Sequence, residues 1–311
     1  MDYERLIDEE TWDFIQKTGE HYPDDAVEMS IEEQRLIYDS MAREFRVPRP
    51  DVVSVMDTSA NGVPVRVYTA GDPTRTVLFC HGGGFVVGGL DSHDDVCAEI
   101  CAQTGYRVVA VDYRLAPEHK HPAGFEDAWT ALEWVEAAYG TGIVLTGDSA
   151  GANLCAAVAH HARGRTEAIL GQVLIYGAFG GDVNQGSYIE HAKAPMLTRE
   201  DVLFYMDIRT DGAAPKDDPL LTPLTDSDFA GLPPTVLVTA DCDPVRDDSR
   251  DYSDRILEAG GKAHWINEPG LIHGYLRARH SVGRARDSFE RISVAIEALG
   301  QGIWSYDDEA P

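Results

Sequence analysis

Ser149 stands in Gly147-Asp148-Ser149-Ala150-Gly151, after the apolar run Ile143-Val144-Leu145-Thr146 and before a run of small residues over 152–161. A serine in a G-x-S-x-G turn between strand and helix is held in a strained elbow, and only small neighbours let the chain fold back so tightly. The turn lifts the hydroxyl above the sheet edge. It also aims the N–H of Ala150, at the helix start, at whatever the serine attacks. A serine hydroxyl is a weak nucleophile on its own. It needs a base to take its proton, an acid to fix the tautomer of that base, and N–H donors for the oxyanion that forms.

The base has one well-placed candidate. His273 lies between Ile272 and Gly274 in a loop before the last helical stretch, whereas His160 and His161 fall inside a helix and His119 and His121 lie close to Glu118. Four acids follow the late strand Thr235–Thr239: Asp241, Asp243, Asp247 and Asp248. Pro244 suits the first turn of a helix, where its missing N–H costs nothing. Asp247 and Asp248 then fall near that first turn, where carboxylates favour the positive end of the dipole. Asp243 is the leading acid, and Asp241, closer to the strand, is the alternative. The order serine, acid, histidine is that of an α/β hydrolase. The oxyanion donors are sought in His81-Gly82-Gly83-Gly84-Phe85, which follows the buried strand Thr76–Cys80. Consecutive glycines cost backbone entropy, and close backbone approach accounts for them here, with the N–H groups of Gly83 and Gly84 as donors.

These residues need a frame. Strand patterns at 52–56 and 63–68 flank Asn61-Gly62, a hairpin signal. Strands at 76–80, 107–112, 143–146, 169–176, 234–239 and 264–267 alternate with helical stretches at 94–103, 122–138, 152–161 and 288–299. Such alternation predicts an α/β fold with a mostly parallel, doubly wound sheet, its site at the C-terminal ends of the strands. Residues 1–46 repeat Trp12, Phe14, Ile15, Ile31, Leu36, Ile37, Met41 and Phe45 at helical spacing, which suits a packed helical pair or a lid. Residues 183–219 break the alternation, with a helix start at Thr198 and Asp201 at its third position. We therefore expect a catalytic core over 47–182 and 220–311 and a helical cap over 1–46 and 183–219.

Composition narrows the partners. The chain has 311 residues, 43% of them apolar, and a formal charge of −27, which argues against nucleic acid and anionic membranes. No apolar run approaches the ~18 residues of a membrane span, and the acidic start has no signal-peptide pattern. The cysteines are odd in number and complete no zinc pattern, so reduced thiols in a cytoplasmic protein are expected. Lysine is scarce, with five in the chain, consistent with salt adaptation or with coding bias. A homodimer is compatible with the sequence.

The sequence resembles the hormone-sensitive-lipase-like esterases, bacterial esterase family IV. The likeness is carried by His81-Gly82-Gly83-Gly84, Leu90-Asp91-Ser92-His93-Asp94, Tyr113-Arg114-Leu115-Ala116-Pro117-Glu118-His119, the elbow, Gly231-Leu232-Pro233-Pro234, Asp243-Pro244-Val245-Arg246-Asp247 and His273-Gly274. It implies Ser149 as nucleophile, His273 as base, Asp243 as acid, an oxyanion hole from Gly83, Gly84 and Ala150, and a helical cap over an acyl pocket. It implies a serine carboxylesterase for small or short-chain acyl esters, with no metal or organic cofactor. An amidase or arylformamidase could use the same triad, and a non-catalytic ligand receptor could use the same fold. The chain departs from the family after Tyr176, where Gly177 replaces a usual proline.

Overall fold

The computed structural model describes residues 1–306 apart from 24–25, 211–214 and 216. Eight strands form one sheet: β1 (Ser54–Ala60), β2 (Val63–Thr69), β3 (Thr76–Cys80), β4 (Arg107–Val111), β5 (Ile143–Asp148), β6 (Ile169–Ile175), β7 (Thr235–Cys242) and β8 (Ala263–Ile272). Their spatial order is β1-β2-β4-β3-β5-β6-β7-β8. The β1–β2 hairpin closes on Asn61-Gly62, both with positive φ, and β2 meets β4 antiparallel. All later pairings are parallel. The expected doubly wound α/β sheet is therefore present.

Successive side chains on a strand point to opposite faces, and β3 shows the result. Val77 and Phe79 enter one core with α4 (Asp94–Thr104) and α10 (Gly283–Gly300). Leu78 and Cys80 enter the other with α5 (Ala123–Tyr139) and α6 (Ala150–Ala162). All five cysteines are buried and unpaired.

The N-terminal segment forms α1 (Tyr3–Leu6), α2 (Glu9–Gly19) and α3 (Ile31–Phe45). Asp8 caps α2 by accepting the Thr11 N–H, and Ser30 and Glu33 cap α3 reciprocally. Phe14 and Met41 are buried as their spacing predicts, but Leu36 is 61% exposed. Polar groups take part of the inward face of α3 instead. Arg35 donates to the carbonyls of Val86 and Ala116 and pairs with Glu118 at 2.7 Å. Between β6 and β7 lie α7 (Ser187–Glu190) and α8 (Arg199–Thr210), and Thr198 and Asp201 exchange hydrogen bonds at the start of α8.

Several boundaries differ from expectation: β1 runs on to Ala60 rather than 56, and α10 starts at Gly283 rather than 288. β7 runs on to Cys242 and β8 to Ile272, because the pair continues through an irregularity between Ala240 and Cys242. Pro269, with no N–H to give, and Gly270 at positive φ make the bulge. Asp241 therefore lies within a strand, not in the loop after it. The helix α9 (Arg246–Glu258) starts two residues after Pro244, with Val245 at its N-cap, so Pro244 precedes the first turn in which the sequence places it. The acidic tail at 307–311, expected to fray, lies outside the described residues. No helix among the described residues is long and apolar enough to cross a membrane.

At the elbow, β3, β5 and α6 meet with no room for a side chain. A Cβ on Gly151 would overlap the Cys80 carbonyl, and one on Gly147 would stand 2.7 Å from the same oxygen. Gly151→Ala should therefore destabilise the protein by more than ~1 kcal/mol, the low end for overpacking a tight core. Thermal melting checks this; an unchanged Tm would contradict it.

Candidate active site

Ser149 has φ +53° and ψ −119°, a conformation costly for a residue with a Cβ. It follows the last residue of β5, and its own N–H donates to the Ile175 carbonyl at 2.8 Å. Its Oγ lies 2.8 Å from Nε2 of His273. The Nδ1 of His273 lies 2.7 Å from Oδ2 of Asp243. Asp243 is fully buried in the turn between β7 and α9, and its Oδ1 accepts the Val245 N–H at 3.0 Å. His273 follows β8, with the Tyr176 ring 4.8 Å from its own. With Nδ1–H donated to the carboxylate, Nε2 is left to accept the serine proton. Asp241 does not reach this chain. It accepts from Asn267 at 2.9 Å inside the β7–β8 pair.

Gly83 and Gly84 have φ of +123° and +59°, the region that favours glycine. The Gly83 carbonyl accepts from Val86 and Val87, each at 3.0 Å. Among the described residues, the N–H groups of Gly83, Gly84 and Ala150 meet no acceptor. All three residues line one cavity with Ser149 and His273.

The residue before the serine holds this loop. Asp148 Oδ1 accepts the Gly82 N–H at 2.8 Å and lies 3.2 Å from His93 Nε2, and Oδ2 accepts from the Tyr176 hydroxyl at 3.3 Å. Burial alone would raise the Asp148 pKa, but His93 beside it, aided by Arg277 and the Gly82 N–H, pulls it down to about 2. His81 is stacked on Tyr113 with ring centroids 4.3 Å apart, and burial lowers its pKa to about 4. Sequence reasoning missed Asp148 and Tyr176 as loop supports, although Asp148 sits inside the elbow motif and His93 inside a matched one.

The cavity has a volume of about 200 Å³ and opens over the C-terminal ends of the central strands. Tyr22, Tyr38 and Met41 reach it from the N-terminal segment, and Leu197, Val202 and Tyr205 from the segment between β6 and β7. Where the usual proline is missing, residues 177–181 form a wall gathered by Asp248. Its Oδ2 accepts the N–H groups of Phe179, Gly180 and Gly181 at 2.7, 3.0 and 3.2 Å. Asp247 likewise accepts from Ser187 at 3.0 Å. Both acids lie in the first turn of α9, as read from the sequence, but Asp248 also binds the distant loop 179–181 and Asp247 the start of α7. Among the described residues, no group of three or more His, Cys, Asp or Glu side chains could hold a metal ion.

Sheet order, elbow and loop-borne histidine are those of an α/β hydrolase, and residues 77–277 match the family described as alpha/beta hydrolase fold. The chain is similar to the carboxylesterase NlhH of Mycobacterium tuberculosis, at 37% identity over 78% of this chain and 76% of that one. It is also similar to the ethyl acetate hydrolase of Pseudomonas putida, at 30% identity over 83% and 85% of the two chains. A solved esterase from the bacterial hormone-sensitive lipase family has the same fold, with a TM-score of 0.86, 26% identity, and 94% and 98% of the two chains covered. The chain belongs to the α/β-hydrolase family, in its hormone-sensitive-lipase-like branch, and is a carboxylic ester hydrolase.

Asp148 generates a stability prediction. Its folded-state pKa lies below the ordinary carboxylate value, so the stability it lends is present above that value and is lost as pH falls through about 2. Relative to Asp148→Asn, the native protein should hold an advantage of about 2 kcal/mol above roughly pH 4, shrinking as pH falls toward 2. Denaturant melts across that range check it; an advantage that grows on acidification would contradict it.

Proposed function

We propose that Ser149 is the nucleophile of a serine carboxylesterase, with His273 as general base and Asp243 as the acid that fixes and stabilises the imidazole. The observation that carries the reading is the unbroken pair of contacts, 2.8 Å from Ser149 to His273 and 2.7 Å from His273 to Asp243. In this mechanism His273 takes the hydroxyl proton as Ser149 attacks the ester carbonyl. The oxyanion is received by the N–H groups of Gly83, Gly84 and Ala150, which have no other acceptor among the described residues. His273 then passes the proton to the departing alcohol. Water, deprotonated by the same imidazole, releases the acyl group from Ser149 through the same oxyanion hole. A small, largely apolar cavity supports small or short-chain acyl esters as substrates. The intact link from serine to histidine supports turnover over a purely binding role.

We read residues 1–46 and 183–219 as a cap over a core of 47–182 and 220–311, because both segments contribute cavity wall. Deleting 1–46 should change chain-length preference on p-nitrophenyl esters and lower Tm. A soluble truncated protein with the original preference would refute the cap.

The triad reading is tested by three variants on a p-nitrophenyl ester. Ser149→Ala should abolish turnover while leaving the fold intact. Asp243→Asn should lower kcat by up to ~10⁴, by analogy with loss of tautomer control in a serine protease. Asp241→Asn should cost far less. A mild Asp243→Asn beside a crippling Asp241→Asn would show the acid to be misassigned.

A further inference from the structure

Arg277 lies four residues after His273, in the short helical turn Tyr275–Ala278, and forms part of the wall of the cavity that holds Ser149. A guanidinium has five N–H donors and stays charged inside a protein. Here Nη2 meets the Tyr38 hydroxyl, and Cζ lies over the Tyr38 ring, 4.8 Å from its centroid. The Nε is buried without an acceptor, and Nη1 meets none among the described residues. Gly274 leaves Nη1 uncovered: a Cβ there would stand 3.3 Å from it.

No carboxylate forms an ion pair with Arg277 among the described residues. The contrast with its neighbour is direct. Arg279, two residues on, is paired with Asp95 at 2.6 Å and Glu99 at 2.8 Å. A second cation on the cavity wall, Arg209, is 6% exposed and also has no carboxylate ion pair among the described residues. Its Nη1 is occupied by Asn153 Oδ1 at 3.1 Å and the Leu221 carbonyl at 3.3 Å, and it stacks on Phe85 at 3.6 Å. A chain with 53 acidic residues thus leaves two arginines at one apolar cavity without a directly paired carboxylate among the described residues, with Arg277 feeling only the charge of the buried Asp148 beyond ion-pair distance. Burying an unpaired charge is unfavourable, and a carboxylate is the ligand group that relieves it with the strongest hydrogen bonds.

We propose that the cavity accepts esters bearing a carboxylate, such as monoesters of short dicarboxylic acids, and that Arg277 receives that carboxylate as a specificity-determining residue. The proposal rests on the cavity being the substrate pocket of the esterase described above. Arg209 adds positive potential, but its Nη1 is taken by Asn153 and Leu221 and its face by Phe85, whereas Arg277 keeps a buried Nε without an acceptor, so Arg277 carries the contact.

The test compares ethyl monoesters of succinate, glutarate and adipate with ethyl butanoate, pentanoate and hexanoate, each pair differing by a carboxylate in place of a terminal methyl. Binding is measured by calorimetry on the Ser149→Ala protein, so that turnover does not intervene. At least one monoanion should bind roughly 10- to 100-fold more tightly than its neutral partner, the range for charge-assisted hydrogen bonds. Adding Arg277→Met should remove that advantage while the neutral ester stays within about threefold, and Arg277→Lys should restore part of it. If no monoanion outbinds its neutral partner, the proposal fails, whatever the Arg277 variants do. If the advantage survives Arg277→Met in a protein with native circular dichroism, it fails as well. Hydrolysis of ethyl butanoate and monoethyl succinate by the unsubstituted chain is scored separately. Absence of hydrolysis of both would overturn the esterase reading and leave the binding result to stand.

Discussion

The tightest constraint in the molecule is the space between the end of β3 and the start of α6. The Cys80 carbonyl occupies the place a side chain on Gly151 would need, and a Cβ on Gly147 would stand 2.6 Å from the Gly151 backbone. This approach brings the glycine loop that follows β3 beside the elbow that follows β5. Asp148 then binds Gly82 across the gap, so the position of the serine and the position of the loop are set by one contact. The other two members of the site arrive independently, from the ends of β7 and β8, and their register is fixed by the parallel pairing of those strands. The bulge at Pro269-Gly270 lets β8 continue to Ile272 and deliver His273 at the right height.

Much of this was legible in the sequence, for local reasons. A strand, a turn of small residues and a helix made of Ala, Leu and Val form one contiguous signal, so Ser149 and Ala150 could be placed from residues 143–161 alone. Three glycines after an apolar run mark a positive-φ loop whatever lies elsewhere. The aspartate was harder. Asp241 and Asp243 are two residues apart, and what separates them is the strand end, which depends on a bulge in a partner strand far along the chain. Asp248 was read as a helix-start acid. Its hold on residues 179–181 joins positions almost seventy residues apart, and no local pattern encodes that. Leu36 shows the opposite failure: the apolar period points it inward, but it is exposed, and the neighbouring Arg35 makes the inward contacts through polar bonds to distant loops.

Charge is distributed unevenly with respect to the site. The surface is strongly acidic, while the cavity wall carries Arg277 and Arg209 without carboxylate partners among the described residues. Asp148, a buried acid adjoining Ser149, accepts from Gly82 and Tyr176, lies against His93 and also feels the charge of Arg277. The N-terminus of α6, the glycine-loop amides and these cations border the cavity that holds Ser149, an arrangement that supports the proposed oxyanion site.

In the proposed mechanism the Ser149 Oγ attacks the substrate and carries the acyl group between the two half-reactions. Diethyl p-nitrophenyl phosphate tests it most directly, since attack on phosphorus releases p-nitrophenol and leaves a phosphoryl group that is hydrolysed slowly. Peptide mass spectrometry after stoichiometric release should find the diethylphosphoryl group on Ser149, with loss of esterase activity in proportion. Modification of another residue, or inactivation with Ser149 unlabelled, would contradict the account.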